Sequence, residues 1–583
     1  MLFSKLAEYF EQLDHTTSRN TLVAILADLY SQCDQSEVRP ITYLLQGRLA
    51  PFFKPIEIGM GINYVADAIG KAFGVDRKHV MQVFDRVGDI GTAARQVQQE
   101  AGKELSMEEP PTVLEIFNQL MAISQVSGPG SIEKKIGMFA DILQKLDPRS
   151  VTYICRIPVG TLRLGVGDPT ILDALSFAKS GDKSLRKPLE RAYNETSDLG
   201  LIAETLWKDG IEGVEKLSIM PGNPVRPALA ERLPTPEAII NRMGQCAVEK
   251  KYDGFRCQVH KIGNEVKIFS RNLEDMTGMF PEITSGTLAM VDAETAIFEG
   301  EALAYHPLSG EFLPFQVTTK RRRKHKIEEA AQELPLKLFA FDILYKNGEN
   351  LMGMKYVDRR EILANTIKGE DSLIVSEWVI ADNVEKLMEV FNEAIESGLE
   401  GIVAKRLDSP YQAGARNFNW VKLKRTHAGQ LQDTVDCVIV GYIYGRGKRA
   451  QLGAGALLVA VYNPDKDTFQ TITKIGTGLT DEEWKEVVER CKPYVTEEKP
   501  ARVESIIQPS VWVEPAVVIE VLADEITRSP VHTAGMNGEK QGYALRFPRL
   551  VSFRESDKRP EDATTVQEII EMYQQQAIKQ VAS

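Results

Sequence analysis

Several things are scarce in this chain of 583 residues. It has no run of about 18 apolar residues, so no membrane-spanning helix is expected. The N-terminal stretch MLFSKLAEYF carries charges where a secretory signal needs an unbroken apolar core, which points to a protein that stays in the cytoplasm. Cysteine is sparse, and Cys33, Cys155, Cys246, Cys257, Cys437 and Cys491 include no pair at the two-residue gap of a zinc site. Reduced, mostly buried thiols are expected, with neither structural disulfides nor zinc. A GxxxxGK loop is missing, which argues against P-loop phosphate chemistry. Internal repeats and low-complexity tracts are missing too. Positive charge is in deficit: 70 Lys and Arg against 82 Asp and Glu leave -12, which argues against a generic polyanion binder. A local basic surface can still hold nucleic acid.

What is present divides into three. Hydrophobic and charged contents of 43% and 26% are ordinary for a globular protein, and the length predicts three or four domains. Residues 1–215 read as all-α, with Leu2, Leu6, Tyr9, Phe10 and Leu13 on one helical face and Leu22, Ile25, Leu26 and Leu29 on another. A further amphipathic stretch runs from Ile132 to Leu146. In IPVGTLRLGVGDP, Arg156 and Arg163 sit beside glycines, so guanidinium groups and backbone amides can approach phosphates; a plain interhelical turn is the alternative. QGRLAPFF, with Gln46, Leu49, Phe52 and Phe53, has the spacing of peptides that dock on sliding clamps, although its aromatics also suit a core.

A proline-rich joint, IMPGNPVRPALAERLPTPE, marks a boundary, and residues 216–424 then mix short strands with helices. The runs CAVEKK, RCQVHKI, EVKIFSRN, IFEGEALAY, LKLFAFDIL, GIVAKRL and NWVKLKR predict an α+β domain with antiparallel sheets. The cationic run from Lys320 to Lys326 is a solvated edge or a phosphate contact. Residues 425–583 are strand-rich, with helices starting at capping boxes Thr480/Glu483 and Thr565/Glu568; this predicts a small all-β barrel of the OB-fold type.

The chain turns on EKKYDGFR, residues 249–256. A lysine amine is nucleophilic only when deprotonated, so Lys251 needs its pKa pulled below roughly 10.4 by burial or neighbouring cations such as Lys250, Arg256 or a metal. The flanking segments predict two strands with Tyr252, Asp253 and Gly254 near the turn between them, which sets the amine at the mouth of a pocket. Charged residues recur at later strand ends: Arg256, Arg271, Glu299, Glu301, Glu400, Arg416, Lys422 and Lys424, with Phe341 among them. In VKLK the lysines share one strand face while Val421 and Leu423 take the other. Such a face needs an anion, and a nucleoside triphosphate satisfies it. Phe341 would stack on a base, Arg416, Lys422 and Lys424 would hold the α-phosphate, and Glu301 and Glu400 suit magnesium. Lys251 would then attack the α-phosphorus as pyrophosphate departs.

These motifs, in order, with LRFPR near the end and RVGDIG, LRLGVGD and RPALAERL outside the middle domain, resemble those of the ATP-dependent DNA ligases, particularly the archaeal and replicative eukaryotic type. The resemblance covers nearly the whole chain. It implies a helical DNA-binding domain, an adenylation domain and a barrel that together encircle nicked duplex DNA, with AMP passing from Lys251 to a 5′-phosphate before a 3′-hydroxyl expels it. It further implies that Glu249 contacts adenine, Phe341 stacks on it, and Arg256 and Glu301 lie near the ribose. Arg271, Arg416, Lys422 and Lys424 would serve the phosphates, Glu301 and Glu400 the Mg2+ (or Mn2+), and Arg546 and Arg549 the pyrophosphate. A monomer is expected, with a hinge near Lys424 to Gly429 and a sliding clamp as a possible partner. Guanylyl transfer to RNA and a non-catalytic nucleic-acid clamp are the rival readings; NAD-dependent ligases are disfavoured, since no four-cysteine module follows the barrel.

Overall fold

The computed structural model describes the chain apart from residues 103–108, 163, 234, 306–312, 314–317, 323–325, 370, 398, 425–433, 445–452, 477–478, 537, 539–540, 555–556 and 583, and the side chains of 319, 575 and 577–582. No helix among the described residues is long and apolar enough to cross a membrane.

Helices fill the chain from Phe3 to Glu215 and share one core. The sequence periodicity is reproduced with small departures: Leu6, Tyr9, Phe10 and Leu13 are buried while Leu2 lies at the exposed edge, and Ile25 is half-buried beside buried Leu22, Leu26 and Leu29. Asp76, Asp89, Asp147 and Asp198 each cap a helix by accepting from its first-turn amides, and Thr112 forms a capping box with Glu115. Arg156 is not free for a phosphate, because its guanidinium grips Asp89 at 3.0 Å and Asp14 at 2.9 Å. Arg163 lies outside the described residues. In QGRLAPFF, Leu49 and Phe53 are buried, Phe53 against Phe269 and Leu273 of the middle region, and Arg48 covers the ring of Phe52 at 4.3 Å. A clamp peptide would have to present these aromatics outward.

The proline joint is stitched on both sides. Ser197 Oγ donates to Pro224 O, the Arg226 amide to Asn194 O, the Gly222 amide to His260 Nδ1 and the Val225 amide to Gln258 Oε1.

Residues 229–424 form two sheets. The first has the strand order Leu229–Arg232, Arg416–Lys424, Gly401–Arg406, Cys246–Lys251, Trp378–Ala381. The second orders Glu265–Ser270, Phe255–Ile262, Thr295–Ala304, Leu336–Lys346 and Glu349–Asn350, with Leu373–Val375 also on Leu336–Lys346. Antiparallel pairing dominates, but Leu229–Arg232 and Leu373–Val375 pair parallel, so both sheets are mixed rather than purely antiparallel. Each parallel strand is short and lies at an edge, where a single ladder suffices. The strands either side of Tyr252–Gly254 fall in different sheets, so that turn is a sheet-to-sheet crossing and not a hairpin. Of the cationic run, Arg321 is buried and clamps Glu282 and the carbonyls of Met279 and Leu334, while Arg322 pairs with Glu274. Residues 323–325 lie outside the described residues.

Beyond Val435 a β-sheet half-barrel runs in the order Val495–Thr496, Val511–Val513, Val435–Ile443, Ala456–Asn463, Thr468–Ile475, Val503–Glu504. Two helices flank it, Asp481–Cys491 and the terminal helix Val566–Ala582, and both begin at the predicted capping boxes. This region reaches back to the others: Arg559 pairs with Asp168 at 2.7 Å, and Asp467 receives Arg19 at 3.2 Å and Thr170 at 3.0 Å. All six cysteines are buried free thiols.

Candidate active site

Lys251 ends a strand where the two sheets meet. Gly401 faces Lys251 on one neighbouring strand and Lys424 on the other, so both amines come to the residue just before it, Glu400. Gly401 has φ +144°, and a Cβ there would lie 2.1 Å from the carbonyl oxygen of Leu423. Only glycine lets the strands close this tightly. Glu400 pairs closely with Lys251 and stands 3.5 Å from Lys424 Nζ.

This floor opens into a cavity of about 270 Å³. It is lined by Glu249, Lys251, Arg256, Arg271, Glu301, Phe341, Glu400, Arg416, Lys422 and Lys424, so ten of the thirteen residues singled out in the sequence converge on it, while Glu299 is buried behind it against Arg256 and Tyr411. Arg546 and Arg549 do not line it: Arg546 is exposed and Arg549 pairs with Asp524.

The electrostatics invert one expectation. Burial alone would lower the Lys251 pKa, but Glu400 first, then Glu301 and Asp253, outweigh it and hold the ammonium above the ordinary lysine value. Lys250 does not supply the predicted cationic pull, because it turns away to Glu393 at 2.6 Å. Burial raises Asp253 to about 6, with Glu400 adding to the rise, and raises Glu301 to about 7 against the opposing pull of Lys251 and Arg256. Glu400 resists burial and stays strongly acidic because Lys251, Lys424 and Lys422 surround it.

At the other end, Glu249 accepts from Lys405 Nζ at 2.8 Å and from Tyr356 Oη, with Arg360 Nε at 3.8 Å. Arg256 lies 5.5 Å from the Phe341 and Trp420 rings and donates to Glu299 at 2.8 Å and to Ala228 O at 2.7 Å. Several lining residues come from far along the chain, among them Asp436, Arg554, Lys558, Asp562 and Glu568. Glu568, from the first turn of the terminal helix, pairs closely with Arg416 and stands 3.9 Å from Lys422, and Asp562 stands 3.9 Å from Arg271. Lys422 is pushed well below its ordinary pKa by burial, which Glu568 opposes. Sequence reasoning missed Lys405, Val403, Trp420 and Glu568. The first two follow from the alternation of GIVAKR, which sends Ile402 and Ala404 to the core and Val403 and Lys405 to the cavity. Glu568 carries only its capping signal.

Three family models match the chain in order: "DNA ligase N terminus" over residues 2–176, "ATP dependent DNA ligase domain" over 227–424 and "ATP dependent DNA ligase C terminal region" over 450–558. A "Probable DNA ligase" of Dictyoglomus turgidum is 50% identical over 100% of this chain and 99% of its own length. A "DNA ligase" of Hyperthermus butylicus is 40% identical over 99% and 98%. A solved mycobacterial DNA ligase D, complexed with ATP and MES, is 27% identical over 58% of this chain and 97% of its own, with a TM-score of 0.33. The class that the family models and the two relatives define is enzymes that join DNA ends at the expense of a nucleotide.

Within that class, the chain belongs to the ATP-dependent DNA ligases. It seals nicks in duplex DNA through adenylate intermediates and uses ATP, as the family does.

Proposed function

We propose that the cavity around Lys251 is the adenylylation centre and that its predicted residues act there in the roles their positions suit. The convergence of Lys251, Glu400 and Lys424 about Gly401 carries this reading. Lys251, once deprotonated, attacks the α-phosphorus of ATP; a P–N bond forms as the P–O bond to pyrophosphate breaks. Arg416, Lys422 and Lys424 hold the α-phosphate and Arg271 lies on the same side. Phe341 and Val403 take the base, Glu249 accepts from its amino group, and Arg256 and Glu301 flank the ribose.

A divalent cation fits here. Glu400 Oε2 is a buried oxygen whose partners among the described residues are the amines of Lys251 and Lys424 alone. No three His, Cys, Asp or Glu side chains among the described residues already form a cage. One or two carboxylates plus phosphate oxygens is the arrangement magnesium favours. Glu400 and Glu301 would hold Mg2+ or Mn2+, which supplies positive charge beside the α-phosphate. That charge would offset the carboxylates that keep Lys251 protonated.

The region 425–583 is read as an OB-fold barrel, 1–215 as the DNA-binding domain and 216–424 as the adenylation domain. For Arg546 and Arg549 to orient pyrophosphate, the barrel must turn its other face to the cavity. The hinge assigned to Lys424–Gly429 falls, beyond Lys424, outside the described residues. The protein is read as a monomer that encircles nicked DNA in the cytoplasm, associated with the nucleoid, with or without a sliding clamp.

The test is covalent labelling with α-labelled ATP and magnesium. Lys251→Ala should abolish the label, a loss of at least about 10³-fold, and leave nicked-DNA binding nearly intact. A label retained by the variant moves the nucleophile elsewhere.

A further inference from the structure

Lys405 is a charged side chain only 2% exposed. A buried ammonium is costly unless its donors are used. It has three, yet among the described residues Glu249 is its one hydrogen-bond acceptor, at 2.8 Å. The rest of its surroundings are aromatic: Trp420 at 4.3 Å, Phe341 at 4.6 Å and Tyr356 at 5.0 Å from Nζ to the ring centres. These contacts hold the charge without using up its N–H bonds. The neighbouring carboxylate is fixed from the far side by Tyr356 Oη and lies near Arg360, so both groups are rigidly placed. The closed end of the cavity therefore presents a donor beside an acceptor, 2.8 Å apart.

We propose that Lys405 is the specificity-determining residue for the base: it donates to ring nitrogen N1 of adenine while Glu249 accepts from the adjacent amino group. This rests on the reading that the nucleotide lies between Phe341 and Val403 with its ribose toward Arg256 and Glu301. In that pose N1 and the amino group, the base atoms farthest from the glycosidic bond, reach the closed end. Guanine in the same place sets a carbonyl oxygen against Glu249 and an N–H against Lys405, and both contacts repel. A site built this way rejects the wrong base because its own buried charges would be left unpaired. It also makes Lys405 the group that separates adenylyl from guanylyl transfer in a pocket otherwise indifferent to the base.

The experiment measures the second-order rate of enzyme labelling, with the full-length protein, using ATP, 1-deaza-ATP, 7-deaza-ATP and GTP. Wild type should use 1-deaza-ATP about 10- to 100-fold less well than ATP, the range for a hydrogen bond to a charged group, and should use 7-deaza-ATP nearly as well as ATP. Lys405→Met should use ATP and 1-deaza-ATP alike and lose part of its preference over GTP. Wild type indifferent to the missing N1, or Lys405→Met still showing the whole penalty, overturns the proposal. A penalty confined to 7-deaza-ATP and erased by the substitution overturns the N1 assignment. If Lys405→Met has no cooperative melt, Lys405→Gln, which keeps a neutral donor, replaces it and should show an intermediate penalty; a full one overturns the proposal. Phe341→Ala with an unchanged KM for ATP would instead remove the nucleotide site itself, a separate failure.

Discussion

Lys251 shows how far a residue's chemistry can be read from its neighbours in sequence. Its role as the amine at a pocket mouth was legible from KYDG, but the sign of its pKa shift was not. That sign depends on Glu400 and Glu301, which only the sheet pairing brings near. Lys405 was within reach of the alternation that singled out Lys422 and Lys424. Glu301 carries a testable consequence. A carboxyl whose pKa rises on folding binds its proton more tightly in the folded chain. Its contribution to stability is therefore complete below the ordinary carboxyl value near 4.5 and is lost as pH climbs through about 7. Glu301→Gln should flatten this dependence, gaining about 3 kcal/mol relative to wild type between pH 4.5 and pH 8 in urea melts. Parallel pH profiles for the two proteins would show that the carboxyl is not held this way.

Strands were the most legible elements. CAVEKK, GIVAKRL and LKLFAFDIL each became the strand expected of a short β-type run, since β-branched and aromatic residues pack well on a pleated face. Their division into two sheets was not legible, because nothing local states which strand will be a neighbour. The register is set instead by close approaches that need glycine. At Gly254 a Cβ would stand 2.3 Å from the Ala302 carbonyl oxygen, and Gly401 is as tight. Gly401→Ala should cost about 2–4 kcal/mol by combining a backbone clash with a disfavoured φ. It should also slow labelling, since Glu400 would move from Lys251. Denaturant melts and the labelling assay check both, and a variant with wild-type stability would contradict the pairing described.

For the whole molecule, the three regions were legible from composition and the proline joint, whereas their mutual contacts were not. Ion pairs between residues hundreds of positions apart leave no local pattern. Glu568 is the clearest case: one carboxylate oxygen caps its helix through Thr565 and the other meets Arg416 of the cavity. That carboxylate competes with a phosphate for the same guanidinium. Glu568→Gln should raise the second-order rate of labelling by ATP about tenfold, measured at ATP well below KM; an unchanged rate would mean the pairing does not oppose nucleotide entry.

The two carboxylates that join the terminal regions are each doubly provided for. Without Arg559, Asp168 still has Tyr193 on its own side and Arg226 of the proline joint at 3.4 Å. Without Arg19 and Thr170, Asp467 still has Arg502 and Tyr462. Separating the regions therefore strands no naked charge, the usual penalty for parting a buried ion pair. The seam is a clasp with spare prongs: parting it leaves each of the two carboxylates with a partner.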